Sequence, residues 1–154
     1  MKKIPKGQNI KYYPEIVEQI LNPKTSKFNK KNKCQLMEKK HKKALEDMAQ
    51  NPKLIGINNA LHSEIEKKLY KNSKVKGEID AIIINYEHTY FIEYKCNDCE
   101  LNRNKAKKQL KRIPNLIEKK YNLESAKFLY VYGKFETYEL TSQGFIPFNY
   151  TPTQ

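Results

Sequence analysis

The spacing of apolar positions changes along the chain, and each change marks an element. Glu15 to Leu21, entered through Tyr13-Pro14 and closed by Asn22-Pro23, reads as a short helix with proline near its first turn. Lys24 to Lys33 has no apolar rhythm, and its Lys/Asn content predicts a mobile loop. Apolar residues at 36, 37, 44, 45 and 48 give Cys34 to Gln50 the look of a weakly amphipathic helix, broken at Asn51-Pro52. Leu61, Ile65 and Leu69 stand four apart and predict a third helix from Asn58 to about Lys71. Beyond Gly77 the period shortens to two. Glu78 to Asn85 and Thr89 to Cys96 are β-branched and aromatic, and the polar tetrapeptide Asn85-Tyr86-Glu87-His88 joins them as a hairpin turn. Asn104 to about Tyr121 is helical in pattern and interrupted near Pro114. Ala126 to Tyr132 is a clear strand ended by Gly133, Phe135 to Leu140 offers a fourth, and an aromatic tail follows around Pro147.

This order is an α/β (α+β) domain over residues 54–154, behind a basic helical extension over residues 1–53. A chain of 154 residues suits one such domain and buries a real core. No apolar run reaches the ~18 residues of a membrane span, and Met1-Lys2-Lys3-Ile4-Pro5 lacks the apolar stretch of a secretory signal. The expected setting is cytoplasmic, without a membrane partner. Three cysteines, Cys34, Cys96 and Cys99, fit reduced thiols there. Cys96-Asn97-Asp98-Cys99 is a lone C-x-x-C, and its spacing to Cys34 and His41 is not that of a zinc ribbon or finger.

Charge sharpens the picture. The net +13 is unevenly spread: residues 1–59 carry +9, 60–101 carry −2, 102–122 carry +7 and the remainder −1. Two basic stretches flanking an acid-bearing middle point to a phosphate-rich partner. A lysine-coated solvent surface is the plain alternative, because Arg103 and Arg112 are the only arginines.

The acids of the middle stretch carry the chemistry. Strand alternation puts Phe91, Glu93 and Lys95 on one face, with Tyr90, Ile92 and Tyr94 on the other. A loop over 85–88 makes opposed positions sum to 173, so Asp80 faces Glu93 and Glu78 faces Lys95. Opposed side chains have Cβ atoms about 4.5–5.5 Å apart, where like charges repel. Ile82, Ile83, Ile84, Phe91 and Ile92 should exclude water and raise that cost. A divalent cation relieves it, since Mg2+ takes one or two carboxylates together with water and phosphate oxygens. The bland reading is an amphipathic hairpin whose acids pair incidentally with lysines.

Gly77-Glu78-Ile79-Asp80 and Phe91-Ile92-Glu93-Tyr94-Lys95, followed by Lys105-Ala106-Lys107-Lys108-Gln109-Leu110, resemble the PD-(D/E)XK nuclease superfamily, which includes restriction enzymes, Holliday-junction resolvases and repair nucleases. The resemblance covers residues 57–132, and Ile79 stands where the family name has proline. It implies a restriction-endonuclease-like αβββαβ core around a mixed sheet. It implies Mg2+ (or Mn2+ in its stead) held by Asp80, Glu93 and an acid of the preceding helix. That acid is Glu66, with Ile65 before it and Leu69 three later; Glu64 is the alternative. Lys95 would orient the attacking water, and Gln109 matches a polar residue often near the site. Arg103, Lys105, Lys108, Lys111 and Arg112 form the basic run expected to contact phosphate, with Lys24–Lys43 as a second arm.

The function expected is a Mg2+-dependent deoxyribonuclease, with DNA as its substrate class, acting as an endonuclease on phosphodiester bonds. The alternative is a non-cleaving, basic nucleic-acid-binding protein on the same scaffold. The aromatic tail Phe145–Tyr150 reads equally as a homodimer contact or as a core strand.

Overall fold

A computed structural model describes the backbone of residues 23–148 and the side chains of residues 32–148. The helix expected at Glu15–Leu21 lies outside the described residues, as do Asn149 and Tyr150 of the tail. Among the described residues the architecture is mixed α/β, with two helices and a six-stranded mixed sheet. Helix α1 (Pro23–Gln50) leads through a 3-10 turn (Pro52–Ile55) to strands β1 (His62–Lys71), β2 (Lys74–Ile84) and β3 (Thr89–Lys95). Helix α2 (Glu100–Leu116), then β4 (Ala126–Tyr132), β5 (Glu136–Thr141) and β6 (Gly144–Pro147) complete it. The strands lie side by side in chain order. All neighbours are antiparallel except β3 and β4, whose parallel pairing is bridged by α2. Among the described residues no helix is long and apolar enough to cross a membrane.

Each face of the sheet has its own core. Ala81, Ile83, Tyr90, Ile92, Tyr94, Leu129 and Val131 pack with Ala44, Leu45 and Met48 of α1 and with Ile55 and Ile57 after it. Ile82 and Phe91, on the other face, pack with Leu110 and Ile113 of α2, Tyr121, Leu69 and Ile79. The spacing explains which stripe of α2 is inward: Ala106, Leu110 and Ile113 are buried at i, i+4 and i+7.

Two expectations are corrected, and the division of the chain is seen between them. Residues 24–33 are the start of α1 and not a loop; a Lys/Asn-rich tract lacking apolar rhythm is still a competent helix where no glycine interrupts it and its only proline stands at the first position. Compact units divide the chain at 39/40, inside α1, and the helix end that carries Ala44, Leu45 and Met48 lies in the unit that holds the sheet. The helix predicted over Asn58–Lys71 is strand β1, paired with β2 from His62↔Ile84 to Lys71↔Lys74.

That last error has a structural cause. Glu66 has φ +55, and the paired positions skip from Ile65↔Ala81 to Lys67↔Ile79. Ile65 packs with the α1-side core, whereas Leu69 packs with the α2-side core. Across the ladder, Ala81 and Ile79 divide in the same way. Both strands therefore exchange faces at the level of Glu66 and Asp80. Two apolar residues four apart imitate a helical stripe when they are buried on opposite sides of a kinked strand. Strand β2 also begins earlier than Gly77, because Asn72 and Ser73, both at positive φ, close a two-residue hairpin turn.

Candidate active site

The register of the β2–β3 hairpin is the predicted one: Ala81↔Ile92, Ile82↔Phe91, Ile83↔Tyr90 and Ile84↔Thr89 all sum to 173. The turn stands at the expected tetrapeptide, and Asn85 Oδ1 builds it by accepting from the N–H groups of Glu87 and His88. Pairing ends at Ala81↔Ile92, so Asp80 and Glu93 stand one position further on, where the strands part. The Tyr94 N–H, beyond the last pair, donates to Asp80 Oδ2 at 2.8 Å. One carboxylate oxygen of Asp80 thus completes the β3 backbone in place of a ladder bond.

Asp80 is 7% and Glu93 4% exposed, which makes them, with Thr89, the buried polar residues of the described chain. Lys95 Nζ lies 3.6 Å from Glu93 Oε2 on the same face. Burial pushes the Glu93 carboxyl up to about 9, the charge of Asp80 adds to the rise, and Lys95 only partly offsets it. With both carboxyls ionised, Lys95 alone would not balance them. The predicted cross-strand pair of Glu78 with Lys95 does not form: Glu78 pairs with Lys68 at 3.6 Å, and Lys95 turns to Glu93.

His41 is a member of this cluster that the sequence reading missed. Its Nε2 lies 3.3 Å from Asp80 Oδ2 and 3.2 Å from the Tyr94 carbonyl oxygen. Both partners accept, so Nε2 carries a proton and donates to them. The hydrogen bond to Asp80 raises the imidazole pKa, against burial and the nearby Lys95. A signal was present: His41 heads the stripe His41, Ala44/Leu45, Met48 at i, i+3/i+4, i+7, so the face that grips the sheet also carries a histidine.

The other expected residues divide. Glu66 sits on β1 and not on a helix, level with Asp80 in the ladder, but its side chain is exposed, with the carboxylate 3.6 Å from Lys42 Nζ. Glu64 accepts from Tyr121 Oη at 2.8 Å and lies 2.9 Å from His62 Nε2. Burial works against its ionisation, but these hydrogen bonds hold it below the usual carboxylate range. Gln109 lines a small cleft with Gly77, Glu78 and Arg112, and its buried Oε1 has no hydrogen-bond partner among the described residues. Of the basic run, Arg103 is bound to Asp98 at 2.8 Å, and the Arg112 guanidinium donates to the Lys76 carbonyl. Lys105, Lys108 and Lys111 are exposed, on the side of α2 away from the sheet. Cys99 Sγ caps α2, accepting from Asn102 N at 3.4 Å.

Among the described residues no three His, Cys, Asp or Glu side chains form a metal cage. Asp80 and Glu93 offer two hard oxygen donors, one beside His41 and the other beside Lys95. That donor set fits Mg2+, which keeps much of its water shell and completes it with substrate phosphate. Compared with models of protein families, curated proteins and solved structures, the chain finds no match in any of the three.

Proposed function

We propose that this protein is a metal-dependent nuclease of the PD-(D/E)XK type, hydrolysing phosphodiester bonds in DNA as an endonuclease. The observation that carries the reading is the buried Asp80–Glu93 pair at the parting of β2 and β3, with Lys95 Nζ 3.6 Å from Glu93. The order α1–β1–β2–β3–α2–β4 is also the αβββαβ order that the resemblance implies, with β5 and β6 added at one margin.

Asp80 and Glu93 would hold Mg2+, with Mn2+ as a substitute; when bound, the ion supplies Lewis acidity and lowers the pKa of water. Lys95, the one cation on the Glu93 face of β3, orients the attacking water and lends charge to the oxygens that become more negative in the transition state. The Tyr94 N–H holds Asp80 in place. Glu66, turned to Lys42, is peripheral in this scheme, and Glu64 is a structural acceptor for Tyr121. Lys105, Lys108 and Lys111 give affinity for the phosphate backbone without choosing sequence.

The test is incubation of the full chain with supercoiled plasmid, single-stranded and branched DNA in Mg2+ or Mn2+, beside Glu93→Ala and Lys95→Ala. Both variants should lose at least about a hundredfold in cutting, the scale of removing one transition-state charge contact, while DNA binding persists. Equal cutting by the variants rejects the assignment. Binding by the wild type without cutting in any divalent ion favours the non-cleaving scaffold.

A further inference from the structure

Helix α1 approaches the sheet along one stripe. Ala44, Leu45 and Met48 enter the core against Ala81, Ile83 and Ile92, and one turn earlier the same stripe presents His41 at the mouth of the parted strands. The imidazole is one-third exposed, unlike the residues below it, so packing alone does not account for its position. Its Nε2–H is shared between a β2 side-chain oxygen and a β3 main-chain oxygen. Those two acceptors lie on strands that have just stopped pairing, and the Tyr94 N–H to Asp80 is the other bond spanning the gap there.

We propose, resting on the nuclease reading, that His41 is a positioning residue of the site: by clamping Asp80 Oδ2 to the Tyr94 carbonyl it fixes the gap between β2 and β3 and leaves Asp80 Oδ1 available to a bound ion. Tyr94 Oη, donating to the Gly133 carbonyl at 2.7 Å, holds the other end of that tyrosine, and its ring packs against His41 at 5.7 Å. The clamp is therefore built on a rigid support. Partners of this kind, which orient a metal-binding group without binding the metal, are worth roughly 10–100-fold in metal affinity.

The test titrates Mn2+ alone into the full-length wild type, His41→Ala and His41→Gln, by calorimetry, with metal-free melting curves beside it. A glutamine amide N–H reaches the same acceptors without being a metal-binding nitrogen. The expected result is at least about tenfold weaker Mn2+ binding in His41→Ala, with most of that loss recovered in His41→Gln. If His41→Ala does not fold, His41→Gln against wild type decides alone. Wild-type affinity in His41→Ala overturns the inference and leaves the nuclease reading standing. Loss in a folded His41→Gln as deep as in His41→Ala also overturns it, because the nitrogen itself is then required. A wild type that neither binds Mn2+ nor cuts DNA removes the nuclease reading, and this inference with it.

Discussion

Glu93 sets the energetics of the candidate site. Its carboxyl is raised to about 9 by burial first and by Asp80 second, so the native state holds a proton that the unfolded chain releases near its ordinary value. The sign follows from linkage: a raised pKa contributes stability that is complete below the unfolded value and is lost as pH climbs towards the folded one. His41, also raised, acts in the same direction. Metal-free protein should therefore melt at progressively lower temperature between about pH 5 and pH 9, with Glu93 contributing at most about 1.4 kcal/mol per pH unit. Glu93→Gln should flatten that decline and melt higher than wild type at pH 8, which scanning calorimetry at several pH values would read. Mg2+ should restore the wild type most strongly at the alkaline end. A wild-type melting temperature that rises over this window would contradict the raised Glu93 carboxyl.

At the scale of elements, the hairpin was legible because a period of two and a polar tetrapeptide leave one register. Asp80, Glu93 and Lys95 follow from it by arithmetic. Strand β1 was not legible: its Lys- and Glu-rich composition favours helix locally, and pairing with β2 overrides that preference. The face exchange at Glu66 completed the disguise. Glu66 at φ +55 is a conformation in which any side chain costs about 1–2 kcal/mol relative to glycine. Glu66→Gly should then be more stable than Glu66→Ala by roughly 1 kcal/mol in urea unfolding, a comparison in which the Lys42 ion pair is lost from both. Helix α1 offers a parallel contrast. Leu45→Ala should cost about 2–5 kcal/mol as a core truncation, whereas Leu36→Ala, 55% exposed on the same helix, should stay within about 0.5 kcal/mol.

For the molecule as a whole, net charge was readable but its allocation was not. A sequence shows that Arg103 and Arg112 are basic; it does not show that one is taken by Asp98 and the other by the Lys76 carbonyl. The exposed lysines of α2 are Lys105, Lys108 and Lys111. Affinity for a short DNA duplex should fall steeply with salt, and charge reversal of these three lysines together should reduce the slope of log K against log salt by about one for each phosphate contact removed. Fluorescence anisotropy over a salt series measures this, and an unchanged slope would move the interface elsewhere. His41 was hidden for a related reason: the chain supplies the stripe it heads, but only the tertiary arrangement sets that stripe above the parted strands.

The sheet is open, with β1 and β6 as its outer strands. Among the described residues β1 pairs on one side only, and such an edge of ten residues is a template on which a second molecule can continue the ladder. Lys67, Lys68 and Lys71 line β1, while β6 is only four residues long and ends in Pro147. Charged side chains along one rim and a short, proline-stopped run at the other both discourage fibrillar stacking. Self-association by sheet extension is thus disfavoured at both described edges.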